Sequence, residues 1–477
     1  MPQPDRRQFL RTVGLGSAVI ALHGTLDAAP ERPNIVFIIT DQQSATMMSC
    51  TGNRHLKTPA MDRLAASGVR FERAYASNPV CLPARFSFFT GRMPSCQKIG
   101  KNQHGRFPTP AKTVAESMGN LLRKAGYETV YGGKVHLPKG MHPQAIGFRT
   151  LTGNSRDALA DAAAEFIRGP HDKPFLLVAS FINPHDICYM AINDYARSQG
   201  RKPHGNLDSR ICEETIDAAR KNLAEFVREH CPPLPANYEV PEGEPSCITN
   251  HYAKERMFRW YARTKWSDDL WRLHRWAYCR LTERVDAQIG RVLDALRDAG
   301  LEENTLVVFT SDHGDHDSSH RLEHKSIPYE EAARIPLILS LKGTIPAGAV
   351  DETHLVSNGL DLLPTFCDYA GIRPPADLLG ASLRRLAEGE KVDSWRGSLV
   401  VESQNGRMIR TDRYKYYCFD CGDDREMFID LKADPGETKN LASSPAHRDA
   451  LDQHRRLLAA WTARAKDPVA PTYLVEA

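Results

Sequence analysis

The sequence predicts an α/β protein: one large, mostly parallel sheet flanked by helices, followed by a smaller antiparallel α+β subdomain at the carboxyl end. Three observations predict it. Continuous β-branched and aromatic runs recur at NIVFIIT (34–40), PFLLVASFI (174–182) and TLVVFTS (305–311), as expected of strands buried on both faces. Helical periodicity separates them. Past about residue 380 the chain turns to short extended runs divided by turn signals.

Residues 1–29 come first. Arg6-Arg7, then Phe9 and Leu10, a Gly-containing apolar stretch from Val13 to Leu22 and a small-residue end resemble a twin-arginine export signal. The stretch is far shorter than the roughly 20 residues that span a bilayer, and no later segment reaches that length. The expectation is a periplasmic or secreted protein with no stable membrane insertion, carried out already folded by the twin-arginine machinery. The first strand, 34–40, leads straight into Asp41. Thr58 offers a helix cap, with Pro59 at the first helical position and Gly68 at the stop. The second buried run ends at Asn183-Pro184-His185. Residues 199–265, rich in Pro, Cys and charge, fit the alternation poorly and read as an insertion near the strand ends.

Leu281, Val285, Ile289, Val292 and Leu296 recur at spacings of 4, 4, 3 and 4, which predicts an amphipathic helix stopping at Gly300. The third run follows and ends at Asp312-His313. Beyond it, SLVVES, GRMIRTDRYKYYCF and EMFIDL, with the turn DPGE, predict an antiparallel sheet, and residues 445–465 predict a helix. The organisation expected is an export signal over 1–29, a catalytic domain over 30–380 and a carboxyl-terminal subdomain over 381–477. No internal repeat is visible.

Composition narrows the function. Lys plus Arg is 62 against 59 acidic residues, a net charge of +3, and little more than balance is left for a nucleic-acid binder. Eleven cysteines form only one C-x-x-C pair, Cys418 and Cys421, so no paired zinc spacing exists and at least one cysteine is unpaired or chemically special. In an open α/β sheet ligands bind beyond the carboxyl ends of the strands, which is where Asp41, His185, Asp312 and His313 stand. Pro83 in a first helical turn would place Cys81 at a helix amino terminus, where free N–H groups favour an anion and activate a thiol.

Cys81-Leu82-Pro83-Ala84-Arg85, continuing to Thr90-Gly91-Arg92, resembles the C-x-P-x-R…T-G-R signature of the type I sulfatases of the alkaline phosphatase superfamily. NIVFIITDQQ, GYETVYGGKVH, the Pro184-His185 turn, RLTERVDAQIGRVLDAL, VVFTSDHGD, the EHK of 323–325, PYEEAARIPLI, DLLPTF and DLKADPGETKNLA extend the resemblance over nearly the whole mature chain. It implies that a formylglycine-generating enzyme oxidises Cys81 to formylglycine (3-oxoalanine), an aldehyde used as its hydrate. It also implies that Asp41, Gln42, Cys81, Asp312 and His313 hold a divalent cation, calcium or magnesium, through mainly oxygen donors.

Many members of that family carry a second Asp where this chain has Gln42, and Asn where it has His313. The Asp-Gln with Asp-His combination also resembles the related phosphonate monoester hydrolases. The resemblance further implies that Arg85 holds the hydrate, Lys134 and Lys325 contact the sulfate, His136 orients or deprotonates the hydrate, and His185 protonates the leaving alcohol. The implied substrate is a sulfated small molecule or glycan. The rivals are a phosphonate monoester or phosphodiester hydrolase with the same nucleophile, and a glycan-binding protein with unconverted Cys81.

Two other constellations carry less. His313, His316, His320 and His324 recur at spacings of 3, 4 and 4, as zinc ligands on a helix would, but Gly314 and the polar Asp315–Ser319 stretch argue against a helix. Trp260, Trp266, Trp271 and Trp276 could stack on sugar rings; core packing beside a long helix is favoured.

Overall fold

The computed structural model describes residues 32–102, 108–204 and 207–476; the segment read as an export signal lies outside them. The strands are β1 (Asn34–Asp41), β2 (Val69–Phe71), β3 (Ala74–Tyr75), β4 (Glu128–Gly133), β5 (Arg149–Thr152), β6 (Phe175–Pro184) and β7 (Thr305–Ser311). They continue with β8 (Leu337–Ser340), β9 (Ala349–Asp351), β10 (Val356–Ser357), β11 (Leu399–Ser403), β12 (Gly406–Arg410), β13 (Tyr414–Phe419) and β14 (Glu426–Asp430). Eight of them form the main sheet in the order β5-β4-β6-β1-β7-β8-β2-β9. Its centre is parallel, while β8 runs antiparallel to both neighbours.

The three apolar runs become the sheet's three central strands, and one side-chain set faces each way, as an interior sheet requires. Ile35, Phe37 and Ile39 pack with Phe88, Phe89 and Phe366 on one face; Val36 and Ile38 pack with Val285, Ile289 and Val292 on the other. The second set belongs to the long helix Asp268–Asp298, so its predicted periodicity is its sheet-facing stripe. Phe37 meets Phe366 edge-on at 5.3 Å between ring centroids and Phe88 at 6.0 Å, which fixes the helix Cys81–Thr90 against β1.

Thr58 does not cap its helix as expected. The helix Pro59–Ala66 begins at Pro59, but its free N–H groups are taken by Asp286 of the long helix, from Ala60 at 3.1 Å and Met61 at 2.8 Å. The Thr58 hydroxyl turns instead to Asp62 and Ser49. A carboxylate offering two oxygens satisfies two donors where a threonine satisfies one, so the distant residue wins.

The carboxyl-terminal strands form an antiparallel sheet, β11-β12-β13-β14, with the helix Arg448–Ala465 on one face. Its other face shares a buried cluster with Tyr75, Ile248, Leu322 and Tyr329. The stretch read as an insertion is helical: Leu207–Arg220, Leu223–His230, a π-helical turn Cys247–Tyr252 and Met257–Lys265. Trp266 and Trp271 are buried there edge-to-face at 4.9 Å and Trp276 packs on Phe226, while Trp260 is half-buried beneath Lys254. Among the described residues no helix is long and apolar enough to cross a membrane.

Candidate active site

Strand register builds the site. β1 and β7 pair in parallel with Thr40 opposite Ser311, so the residues that follow, Asp41 and Asp312, leave the sheet side by side. On the other flank Asp41 lies opposite Pro184, which puts His185 next along the same edge. β4 ends with Gly133 opposite Ser180, and the next amide, Lys134 N–H, donates to the Ser180 carbonyl at 2.8 Å. Gly133 has φ +95°, and a Cβ there would strike that carbonyl, so only glycine lets the strand turn Lys134 in so closely.

Cys81 opens its helix as predicted, with Val80 as the preceding cap position and Cys81 itself 1% exposed. Arg85, one turn later on the same face, is wholly buried. Its Nε donates to Asp312 Oδ2 at 2.8 Å and its Nη2 to Asp41 Oδ2 at 3.0 Å. Nη1 donates to Ser180 Oγ at 2.8 Å and to the Lys134 carbonyl at 3.0 Å. Lys134 Nζ donates to the same Asp41 oxygen. Lys325 Nζ donates to Gln42 Oε1 at 2.6 Å and to Cys81 Sγ at 3.1 Å, and His313 Nε2 lies 3.1 Å from that sulfur.

Ligand atoms of Asp41, Cys81, Asp312 and His313 all fall within 4.8 Å of one another and are all buried. Such a set suits a cation. Burial and the neighbouring Asp41 push the Asp312 carboxyl up to about 6, while Asp41 is driven well below the usual carboxylate range, against its own burial, by Lys134, His185 and Arg85. Of the two carboxylates sharing this dry pocket, Asp312 is the harder to ionise, and added positive charge would favour its ionised form. Burial and Asp41 oppose ionisation of Cys81, but Lys134 and Lys325 outweigh them and hold the thiol well below its ordinary range.

Gln42 is engaged differently from the other expected ligands. Its side-chain oxygen accepts from Lys325 and, at 3.1 Å, from the Cys188 thiol, while its amide donates to Asp315 at 2.5 Å. As a metal ligand it would share an oxygen that already takes two donors. His185 is partly exposed, and burial with the ammonium groups of Lys134 and Lys325 holds its pKa well below 6.5. His136 is half-buried two residues past Lys134, in a left-handed conformation with φ 41°.

The spaced histidines do not share a helix. His320 and His324 have φ of 57° and 66°, His320 groups with Glu331 and Glu437, and His313 belongs to the Cys81 cluster. The sequence reading missed Asp315, Tyr278 and Cys188, which clamp Gln42; Tyr278 donates its hydroxyl to the Gln42 carbonyl at 2.6 Å. Asp315 offered a signal, since it lies in the SDHGD run, whereas Tyr278 and Cys188 offered none.

With this geometry in place, likeness to known proteins is specific. A Sulfatase family model matches residues 33–372, and the model described as N-sulphoglucosamine sulphohydrolase, C-terminal, matches 318–463. A delta 4,5-hexuronate-2-O-sulfatase of Bacteroides thetaiotaomicron is 30% identical over 470 residues, covering 94% of this chain and 92% of its own. The solved structure of a 2-O GAG sulfatase superposes with a TM-score of 0.76 at 27% identity, covering 94% of this chain and 95% of that one. A phosphonate monoester hydrolase of Agrobacterium radiobacter, 21% identical, shares the fold with a TM-score of 0.70 over 91% and 96% of the two chains. By the extent of the family match and of the hexuronate sulfatase relative, this chain is an enzyme of the type I sulfatase family in the alkaline phosphatase superfamily.

Proposed function

We propose that this enzyme hydrolyses a sulfate ester on a carbohydrate, with formylglycine made from Cys81 as nucleophile and a divalent cation, calcium or magnesium, beside it. The observation that carries the reading is the convergence of Asp41, Asp312 and His313 on Cys81 under Lys134 and Lys325. Formylglycine used as its hydrate supplies a nucleophilic oxygen, for which Cys81 Sγ stands in here. The cation would supply a Lewis acid for a sulfate oxygen, held by Asp41, Asp312 and His313 with the shared oxygen of Gln42. Arg85 ties both carboxylates to the helix that bears the nucleophile, so that nucleophile and cation keep one relative position.

Lys134 and Lys325 provide fixed positive charge where sulfate charge accumulates. Burial with Lys134 and Lys325 holds the His185 pKa low in the free site; a sulfate anion between the two lysines would offset their charge, raise it and let His185 carry the proton that the leaving alcohol takes. His136, just past Lys134, is assigned the hydrate's proton. A uronate-bearing glycan is the first substrate to test, given the hexuronate and GAG sulfatases among its relatives. The reading includes export by the twin-arginine route, conversion of Cys81 by a formylglycine-generating enzyme, and a catalytic domain over 30–380 followed by a carboxyl-terminal subdomain over 381–477.

The test is sulfate release by the wild type, Cys81→Ala and Cys81→Ser, with the mass of the Cys81 peptide measured in each preparation. Both variants should fold and lose turnover, because alanine cannot yield the aldehyde and an unoxidised serine hydroxyl is not a geminal diol; the peptide mass shows whether the serine stays unoxidised. Normal sulfate release by Cys81→Ala would end this reading. Comparing kcat/KM on aryl sulfate and aryl phosphonate separates it from a phosphonate hydrolase, for which the Agrobacterium structure argues through fold alone.

A further inference from the structure

The cysteine inventory holds a pair that the active site does not use. Cys247 is wholly buried at the start of the π-helical turn Cys247–Tyr252, and Cys421 is half-buried in the turn between β13 and β14. Their sulfurs lie 2.8 Å apart, although 174 residues separate them in sequence. The approach is built rather than incidental. The amide of Asp423 donates to Ser246 Oγ at 2.9 Å, and Gly422, at φ +89°, lies so close that a Cβ there would stand 2.5 Å from Ser246 Oγ and 2.7 Å from Cys247 N. The Cys421 turn is thus fitted against the residues that present Cys247.

We infer that Cys247 and Cys421 form a disulfide in the exported enzyme, stapling the helical insertion to the carboxyl-terminal sheet. The bond forms by thiol–disulfide exchange with a disulfide-donating oxidant of the export compartment, such as an oxidised dithiol protein or oxidised glutathione. The thiolate of Cys421, the more accessible thiol, attacks the oxidant's disulfide; the Cys247 thiolate then displaces the oxidant's sulfur. Two protons are released and two electrons leave the pair, reducing the oxidant to thiols. A protein exported already folded needs one such accessible thiol, since a fully buried pair could not meet the oxidant. The staple bears on the reaction, because the same turn ends in Tyr252, whose hydroxyl donates to the Lys325 carbonyl.

The experiment maps thiols in full-length protein recovered from the exported fraction, alkylated in denaturant without reductant, digested and weighed. A Cys247–Cys421 peptide pair two hydrogens lighter than the separate thiol peptides is expected. A phosphine reductant, which spares the aldehyde from thiol addition, should lower the wild-type Tm by about 5 °C, as the long loop released implies. Cys421→Ser should start at that lower value and ignore the phosphine.

If protein from the exported fraction shows the pair only after treatment with oxidised glutathione, the exported enzyme does not carry the staple and the proposal fails; absence of the protein from that fraction would count against the export reading instead. Both cysteines alkylated even after that treatment would overturn the bridge. Stoichiometric zinc that shields both thiols until a chelator removes it would also overturn it, with Asp420 as the third ligand. Loss of the linked peptide on reduction with no change in Tm would refute the stapling.

Discussion

Replacing Arg85 with methionine tests the centre of the site. The side chain is wholly enclosed, and its guanidinium joins Asp41, Asp312, Ser180 and the Lys134 carbonyl through four hydrogen bonds between 2.8 and 3.0 Å. Removing one partner of a buried ion pair costs about 3–5 kcal/mol, because the remaining charge is left without compensation. Here Asp41 keeps Lys134, and Asp312 keeps the backbone amides of Gln42 and His313, so the lower figure, about 3 kcal/mol, applies. With about 2 cal/mol/K of unfolding entropy per residue, a chain of 477 residues melts about 1 °C lower for each kcal/mol lost. Arg85→Met should therefore lower the metal-free Tm by about 3 °C while turnover falls by about 100-fold or more, since both carboxylates lose their register with the nucleophile. Arg85→Lys keeps the charge but offers one point donor in place of a planar fork, and should recover more of the stability than of the turnover. Thermal melts and aryl sulfate turnover read the two effects, and the mass of the Cys81 peptide separates lost conversion from lost catalysis. A methionine variant melting within about 1 °C of wild type and turning over within about threefold would refute the bridging role.

Chelation should abolish turnover and calcium or magnesium restore it. Asp312→Asn should weaken cation binding in calorimetry more than Gln42→Ala, because it removes charge as well as an oxygen. His185→Ala should slow a sugar sulfate by about a hundredfold or more but an aryl sulfate far less, since a phenolate leaves without a proton; equal losses would assign His185 another role. Away from the site, burial pushes Asp286 up to about 6 from 3.8. Its raised folded pKa makes its contribution fully present below the unfolded value and lost as pH climbs through 6, a change of about 3 kcal/mol. Asp286→Asn should flatten that part of the stability profile in denaturant melts from pH 4 to 7, and an unchanged slope would show that the carboxyl is not desolvated.

The parts of the site legible in the sequence are those where the hydrophobic pattern stops. A strand buried on both faces tolerates polar residues only at its end, so Asp41, His185 and Asp312 stood out as soon as the runs were marked. Cys81 was legible for another reason, since a proline in a first turn fixes where a helix begins, whereas Arg85 came only with the resemblance carried by the C-x-P-x-R run. Contacts made across long separations left no such trace. Asp286 holds the helix Pro59–Ala66 across more than two hundred residues, and no spacing rule connects them. The short strands β2, β5 and β9, three or four residues each, are too brief for an alternating pattern to mark them in the sequence. Within the insertion, the π-helical turn Cys247–Tyr252 breaks the period by which helices are recognised.

The 1% exposure of Cys81 sets a clock. On the function proposed above, a nucleophile made by a separate enzyme must be reached before the pocket closes around it, and the groups that close it come from far downstream: His313 follows Cys81 by 232 residues and Lys325 by 244. At about 5–20 residues per second, the ribosome needs roughly 10–50 s to deliver that last wall. During those seconds the 81–85 segment is still open to a modifying enzyme; once β7 pairs with β1 the thiol is sealed in whatever oxidation state it has. On that proposal, conversion and folding compete for one segment of nascent chain. Faster translation favours folding, so a strongly driven gene should fill the cell with well-folded protein of low specific activity, and slowing synthesis should raise activity per molecule without changing how much protein folds.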